Sequence, residues 1–92
     1  MLPQKLETVA VRVDGLDNSR LDAICTTYKI KPLEFYTMDM ELLGFIAKHR
    51  ILPKPTILIF NKTKPVVRIV GDNMLTLPKF ERLLEILSKI YV

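Results

Sequence analysis

The chain has 92 residues, a formal net charge of +4, 49% hydrophobic and 26% charged residues, and 3 glycines, enough for one domain over residues 1–92 that buries about 60 to 70% of its unfolded surface. A single cysteine, Cys25, excludes an internal disulfide and a paired-cysteine redox centre. The apolar runs fall far short of the roughly 20 residues that span a bilayer, and MLPQKLET lacks the apolar stretch of a secretory signal, so a cytoplasmic location without membrane contact is expected.

Thr8 to Val13, TVAVRV, is apolar or alternating and ends at the turn pair Asp14-Gly15, which predicts a first strand. From Asp17 onward, Leu21, Ile24, Cys25 and Tyr28 recur at i, i+3, i+4 and i+7 and predict a helix with one buried stripe. Asp17 or Ser19 is its expected cap, and Pro32 its expected stop, because the residue before a proline is pushed toward extended geometry. Leu33 to Met38, LEFYTM, carries the aromatic and β-branched content of a second strand. A second helix then starts at Asp39 or Met40, with Leu42, Phe45, Ile46 and His49 on its inner face and Glu41 and Lys48 in water.

The last third reads differently. Thr56 to Phe60 is a nearly continuous apolar strand, Asn61 to Lys64 a polar turn, and Val66 to Val70 a further strand with Pro65 just ahead of it, together an antiparallel hairpin. Gly71-Asp72-Asn73 breaks the pattern. Thr76 and Pro78 open a final helix, whose buried stripe is Phe80, Leu83, Leu84, Leu87 and Tyr91. The order β-α-β-α-β-β-α predicts an α/β domain in which a parallel half and an antiparallel half share one four-stranded mixed sheet flanked by helices.

Few residues suggest chemistry. The lone histidine, His49, has no cysteine or acidic cluster at ligand spacing, so no metal site is expected and a helix end suits it better. Asp14 and Asp17, beside a glycine turn, read as turn and cap formers. No Ser-His-Asp arrangement and no phosphate-cradling glycine loop is present. The 14 Lys and Arg are spread out without a recognition motif, which argues against nucleic acid as a partner. Whether Lys48, Arg50, Lys54, Lys62 and Lys64 share a surface depends on how the chain folds.

The stretch PTILIFNKTKPVVRIVG resembles the thioredoxin superfamily, through Pro55, Thr56, Phe60, Val70 and Gly71, and MDMELLGFIAKHRI resembles the helix leading into that family's proline loop. The resemblance spans roughly residues 8 to 91 and implies a thioredoxin-like fold with a cis bond before Pro55. It also implies that the loop after strand one and the proline loop meet at one end of the sheet. The expected binding groove is therefore Leu16, Asp17, Asn18, Ser19 and Arg20 with Lys54, Pro55 and Thr56. In the family the first of these loops carries the redox cysteines, whereas here Gly15 to Arg20 contains no sulfur. Lys54 departs from the Ile, Val or Thr usual before the proline, and Thr63 from a frequent turn glycine.

The implied function is a redox-inactive module that binds a protein or peptide segment, with no catalytic residue and no cofactor. Cys25, on the apolar stripe of helix one, reads as a buried small hydrophobe. The enzyme alternative is a single-cysteine, glutaredoxin-like thiol oxidoreductase using Cys25, with glutathione as a possible co-substrate. A shorter resemblance, through VRVDGLDNS and PVVRIVGD, is to KaiB, a clock regulator that adopts a thioredoxin-like fold without redox cysteines.

Overall fold

The computed structural model describes residues 6–36 and 39–91. Along the chain lie β1 (Leu6–Arg12), α1 (Ser19–Tyr28), β2 (Leu33–Glu34), α2 (Met40–Lys48), β3 (Thr56–Asn61), β4 (Lys64–Val70), a 3-10 turn (Gly71–Asn73) and α3 (Leu77–Ile90). The four strands form one mixed sheet in the order β2-β1-β3-β4. β1 and β2 are parallel, while β3 is antiparallel to both β1 and β4. Over the described residues the protein is thus an α/β fold with three α-helices.

β3 has a strand on either side and helices on both faces, so Thr56 to Phe60 are all buried and the run needs no polar alternation. Ile57 and Ile59 of β3, Leu6 and Ala10 of β1 and Ile69 of β4 face α1 and α3, where Leu21, Ile24, Cys25, Phe80, Leu84 and Leu87 complete the larger core. The Tyr28 ring meets Phe80 edge-on, with ring centroids 5.4 Å apart. Leu58 and Phe60 point the other way, with Val9 and Val11, and pack against Phe45 and Ile46 of α2 and against Ile51. His49 lies between Phe45 and Phe60, at 4.6 and 5.1 Å between centroids.

The helix faces are those that the spacing predicts, but several ends differ. α1 starts after Asn18, whose side chain reaches back to the Val13 N–H and carbonyl and caps no helical N–H; the Asp17 carboxylate accepts the N–H of Ser19, the first helical residue, as expected of a cap, while Ser19 itself lies inside the helix. α1 also stops at Tyr28, ahead of Pro32, because Lys29 turns left-handed at φ 55° and both it and Ile30 donate to the Cys25 carbonyl. β2 is only Leu33–Glu34, since it pairs solely with Val11 and Arg12 at the end of β1 and the chain turns at Phe35 and Tyr36. Thr37 and Met38, the end of the expected strand, lie outside the described residues.

The β3–β4 turn is tighter than expected. Strand pairing continues to Asn61 and Lys64 and leaves only Lys62 and Thr63 between the strands. Pro65 lies inside β4 opposite Phe60, and the register shifts between Ile59 and Phe60. A proline is tolerated there because β4 is an edge strand whose outer N–H groups join no ladder.

The expected cis bond before Pro55 is not found: every peptide bond among the described residues is trans. Trans is favoured by about 0.5–1 kcal/mol for an X-Pro bond. Pro55 stands just before β3, where no ladder N–H is needed, and its carbonyl accepts the Gly71 N–H at 2.8 Å.

α2 is bounded on both sides by specific bonds. The Asp39 carboxylate accepts the N–H groups of Glu41 and Leu42 at 2.8 and 3.1 Å. At the other end Arg50 is left-handed at φ 52°, Ile51 donates back to the Ile46 carbonyl at 3.0 Å, and the Arg68 guanidinium of β4 donates to the His49 and Arg50 carbonyls. A cation over the last carbonyls of a helix suits both the unpaired acceptors and the helix dipole.

Lys29 and Arg50 hold left-handed conformations that glycine adopts without a Cβ penalty. Lys29→Gly and Arg50→Gly should each raise the urea-unfolding free energy by about 0.5–1 kcal/mol, while Arg68→Met should lower it by about 1 kcal/mol.

Candidate functional site

At the carboxyl end of β1 the chain turns through Asp14 and Gly15 and enters α1. Asn18 fixes this turn from beneath: it is buried, accepts the Val13 N–H at 3.1 Å, and donates to the carbonyls of Val13 and Leu16 at 2.8 and 3.0 Å. Above it, the Asp17 carboxylate accepts both the N–H and the hydroxyl of Ser19, at 3.0 and 2.7 Å. These two bonds, with a smaller contribution from Arg20, hold the Asp17 pKa below its ordinary 3.8. Arg20 donates to the Met74 carbonyl at 3.0 Å and so ties the first turn of α1 to the segment after β4.

The proline loop reaches the same end of the sheet. The Lys54 N–H donates to the Leu52 carbonyl at 2.7 Å, and the Thr56 hydroxyl donates to the Lys54 carbonyl at 2.8 Å. The aliphatic stem of Lys54 runs over Gly71, whose φ is +58°; a Cβ there would lie 3.3 Å from the Lys54 Cδ. Glycine takes this conformation without a Cβ penalty, and any Cβ there would have to displace the lysine stem by a few tenths of an ångström.

A cleft of about 420 Å³ opens between these segments, lined by Leu16, Asp17, Ser19, Arg20, Leu21, Lys54, Pro55, Gly71, Asp72 and Met74. Six of the eight residues expected for the groove thus come together. The other two lie beneath it: Asn18 straps the turn, and Thr56 is buried completely as the first residue of β3. Leu21, Gly71, Asp72 and Met74 were not expected. Their one visible signal was the break at Gly71-Asp72-Asn73, but its place beside Pro55 depends on the hairpin register.

The floor of the cleft is apolar, through Leu21, Pro55 and Met74, and its rim carries two cations, Arg20 and Lys54, and two carboxylates, Asp17 and Asp72. A larger hollow of about 820 Å³ lies between α1 and α3 and includes Tyr28, Glu81, Glu85 and Ser88; none of the groove residues reaches it.

Cys25 does not line the cleft. It is 5% exposed in the α1–α3 core, and burial, helped by the Asp22 charge, pushes its thiol pKa up to about 11. About one thiol in ten thousand is then ionised at pH 7, and the thiolate is the reactive form.

Other candidates separate in space. Lys54 precedes the start of β3 and Lys62 and Lys64 flank its far end, about 20 Å away along the strand, so Lys54 shares no surface with the two lysines of the hairpin turn. His49 ends α2, as its position predicts. Among the described residues no three His, Cys, Asp or Glu side chains gather as a metal site, and no helix is long and apolar enough to cross a membrane. Comparison of the chain with protein-family models, with curated proteins and with solved structures returned no match.

An NMR titration should place the Asp17 carboxyl midpoint below 3.8. Because the folded value is depressed, the associated stability is complete above the unfolded pKa and is lost as pH falls through the folded one. Cys25 should react with a neutral-pH alkylating reagent only as fast as the protein opens, and rapidly in denaturant; a fast native reaction would show that the thiol is accessible.

Proposed function

We propose that this protein is a thioredoxin-like binding module without thiol chemistry, and that it takes a segment of another protein into the cleft between the β1–α1 loop and the proline loop. The observation that carries this reading is the convergence of Asp17, Arg20, Lys54 and Pro55 on one cleft at the end of the sheet, with the only cysteine buried elsewhere. The β-α-β-α-β-β-α order and the mixed sheet support the thioredoxin-like part. The trans Lys54–Pro55 bond is a departure from that family.

The loop also limits how a peptide could bind. Pro53 and Pro55 have no N–H, and that of Lys54 already bonds the Leu52 carbonyl. The backbone of residues 53 to 55 therefore offers no free donor, and its Lys54 and Pro55 carbonyls already accept from the Thr56 hydroxyl and the Gly71 N–H, so a bound strand could not form the two-way ladder of a strand added to a sheet edge. Affinity must come mainly from side chains. The apolar floor suits an aliphatic or aromatic side chain of the ligand, and the mixed-charge rim suits flanking residues of both signs.

Selection of a displayed peptide library against the purified protein tests the proposal. Selected peptides should share an apolar residue flanked by charge, and Lys54→Ala and Asp17→Ala should each weaken them at least tenfold; Lys54→Ala should do so without shifting the unfolding midpoint, whereas Asp17→Ala should also lower it modestly because the Ser19 bonds are lost. Cys25→Ser should leave binding unchanged. Peptides insensitive to both cleft substitutions would move the site elsewhere, and turnover of a disulfide substrate that disappears in Cys25→Ser would favour the oxidoreductase reading.

A further inference from the structure

We propose that two copies of this chain associate through the outer face of α2, with the two helices antiparallel about a two-fold axis passing close to Gly44. α2 is apolar on both sides. Its inner face, Leu42, Phe45 and Ile46, covers the sheet, while Met40, Leu43, Gly44 and Ala47 recur at i, i+3, i+4 and i+7 on the opposite side and are exposed. Met40 is 81% and Leu43 39% exposed. A helix that needs only one apolar face for its own fold usually keeps the other polar, so a second apolar face implies something to cover it.

The choice of occupant follows from the pattern of this face. Glu41 and Lys48 are exposed and seven residues apart, two helical turns, and so lie on the same flank of the apolar stripe. When two such helices pack antiparallel about a two-fold axis, like flanks meet, and residues pair about the midpoint. The midpoint of Glu41 and Lys48 falls beside Gly44, so each Glu41 faces the copy's Lys48 twice over. The same pairing sets Leu43 between the copy's Gly44 and Ala47, large on small, with Met40 just beyond Ala47. At Gly44 itself nothing lies within 4 Å of where a Cβ would stand, so the approach is open. One surface is thus complementary to itself in both charge and shape, which a two-fold interface requires.

A nine-residue helix is about 14 Å long. Such a contact falls at the small end of specific interfaces, and the dimer should dissociate on the order of 100 μM. Its surface is separate from the cleft of the proposed function and does not depend on it.

Sedimentation velocity on the 92-residue protein, over roughly two decades of concentration around that value, should show a reversible monomer–dimer equilibrium. Glu41→Lys and Lys48→Glu should each weaken self-association at least tenfold, because each sets like charges opposite one another. Mixing the two variants should restore association as a heterodimer that neither forms alone, a result that no folding defect would mimic. Gly44→Glu, which has room in the monomer, should leave circular dichroism unchanged and abolish the dimer by placing two carboxylates at the axis. A monomer at every concentration, a dimer indifferent to the charge changes, or a mixture that fails to associate would each overturn the proposal.

Discussion

The fold depends on burying β3 on both faces. Five successive side chains from Thr56 to Phe60 are removed from water, and they cannot all be covered by one layer because neighbours in a strand point to opposite sides. The domain must therefore place helices on each face, with α1 and α3 on the side of Ile57 and Ile59 and α2 on the side of Leu58 and Phe60. Its flanking strands follow from the same demand, since a strand without water needs backbone partners along both edges. β1 and β4 supply them.

That constraint also builds the cleft. β3 begins at Thr56, next to Val11 on one side and Val70 on the other, so the chain entering β3 must pass between the end of β1 and the end of β4. Pro55 meets Gly71 there through a backbone hydrogen bond, and Lys54 is laid across that glycine. The cleft residues come from three segments distant in sequence, but each is anchored to the sheet or to a buried strap such as Asn18. The proposed binding surface therefore has a preformed floor, and ordering it on binding would cost little.

Much of this was legible from residue spacing. The stripe Leu21, Ile24, Cys25 and Tyr28, the α3 stripe from Phe80 to Leu87, and the unbroken run of β3 each record a burial pattern directly. The ends of elements were less legible because they are decided by contacts the spacing does not encode. Lys29 ends α1 by turning left-handed, a conformation usually marked by glycine, and Asn18 holds the N-cap position while its side chain serves the turn behind it. β2 carries strand-like residues yet is short because only the last residues of β1 are available to pair with it. Of the groove, the residues on the two loops could be read from a family likeness. Gly71, Asp72 and Met74 could not, since their position depends on where the β4 register leaves the chain.

The two margins of the sheet are unequal. β2 covers just Val11 and Arg12, so from Leu6 to Ala10 the outer side of β1 has no strand beside it among the described residues, whereas on β4 Pro65 removes an N–H and the register shifts beside it. A neighbouring chain therefore finds its longer row of backbone groups along β1. If crowded molecules of this protein template one another into fibrils, that margin, and not the proline-guarded one, is where the added strand would lie.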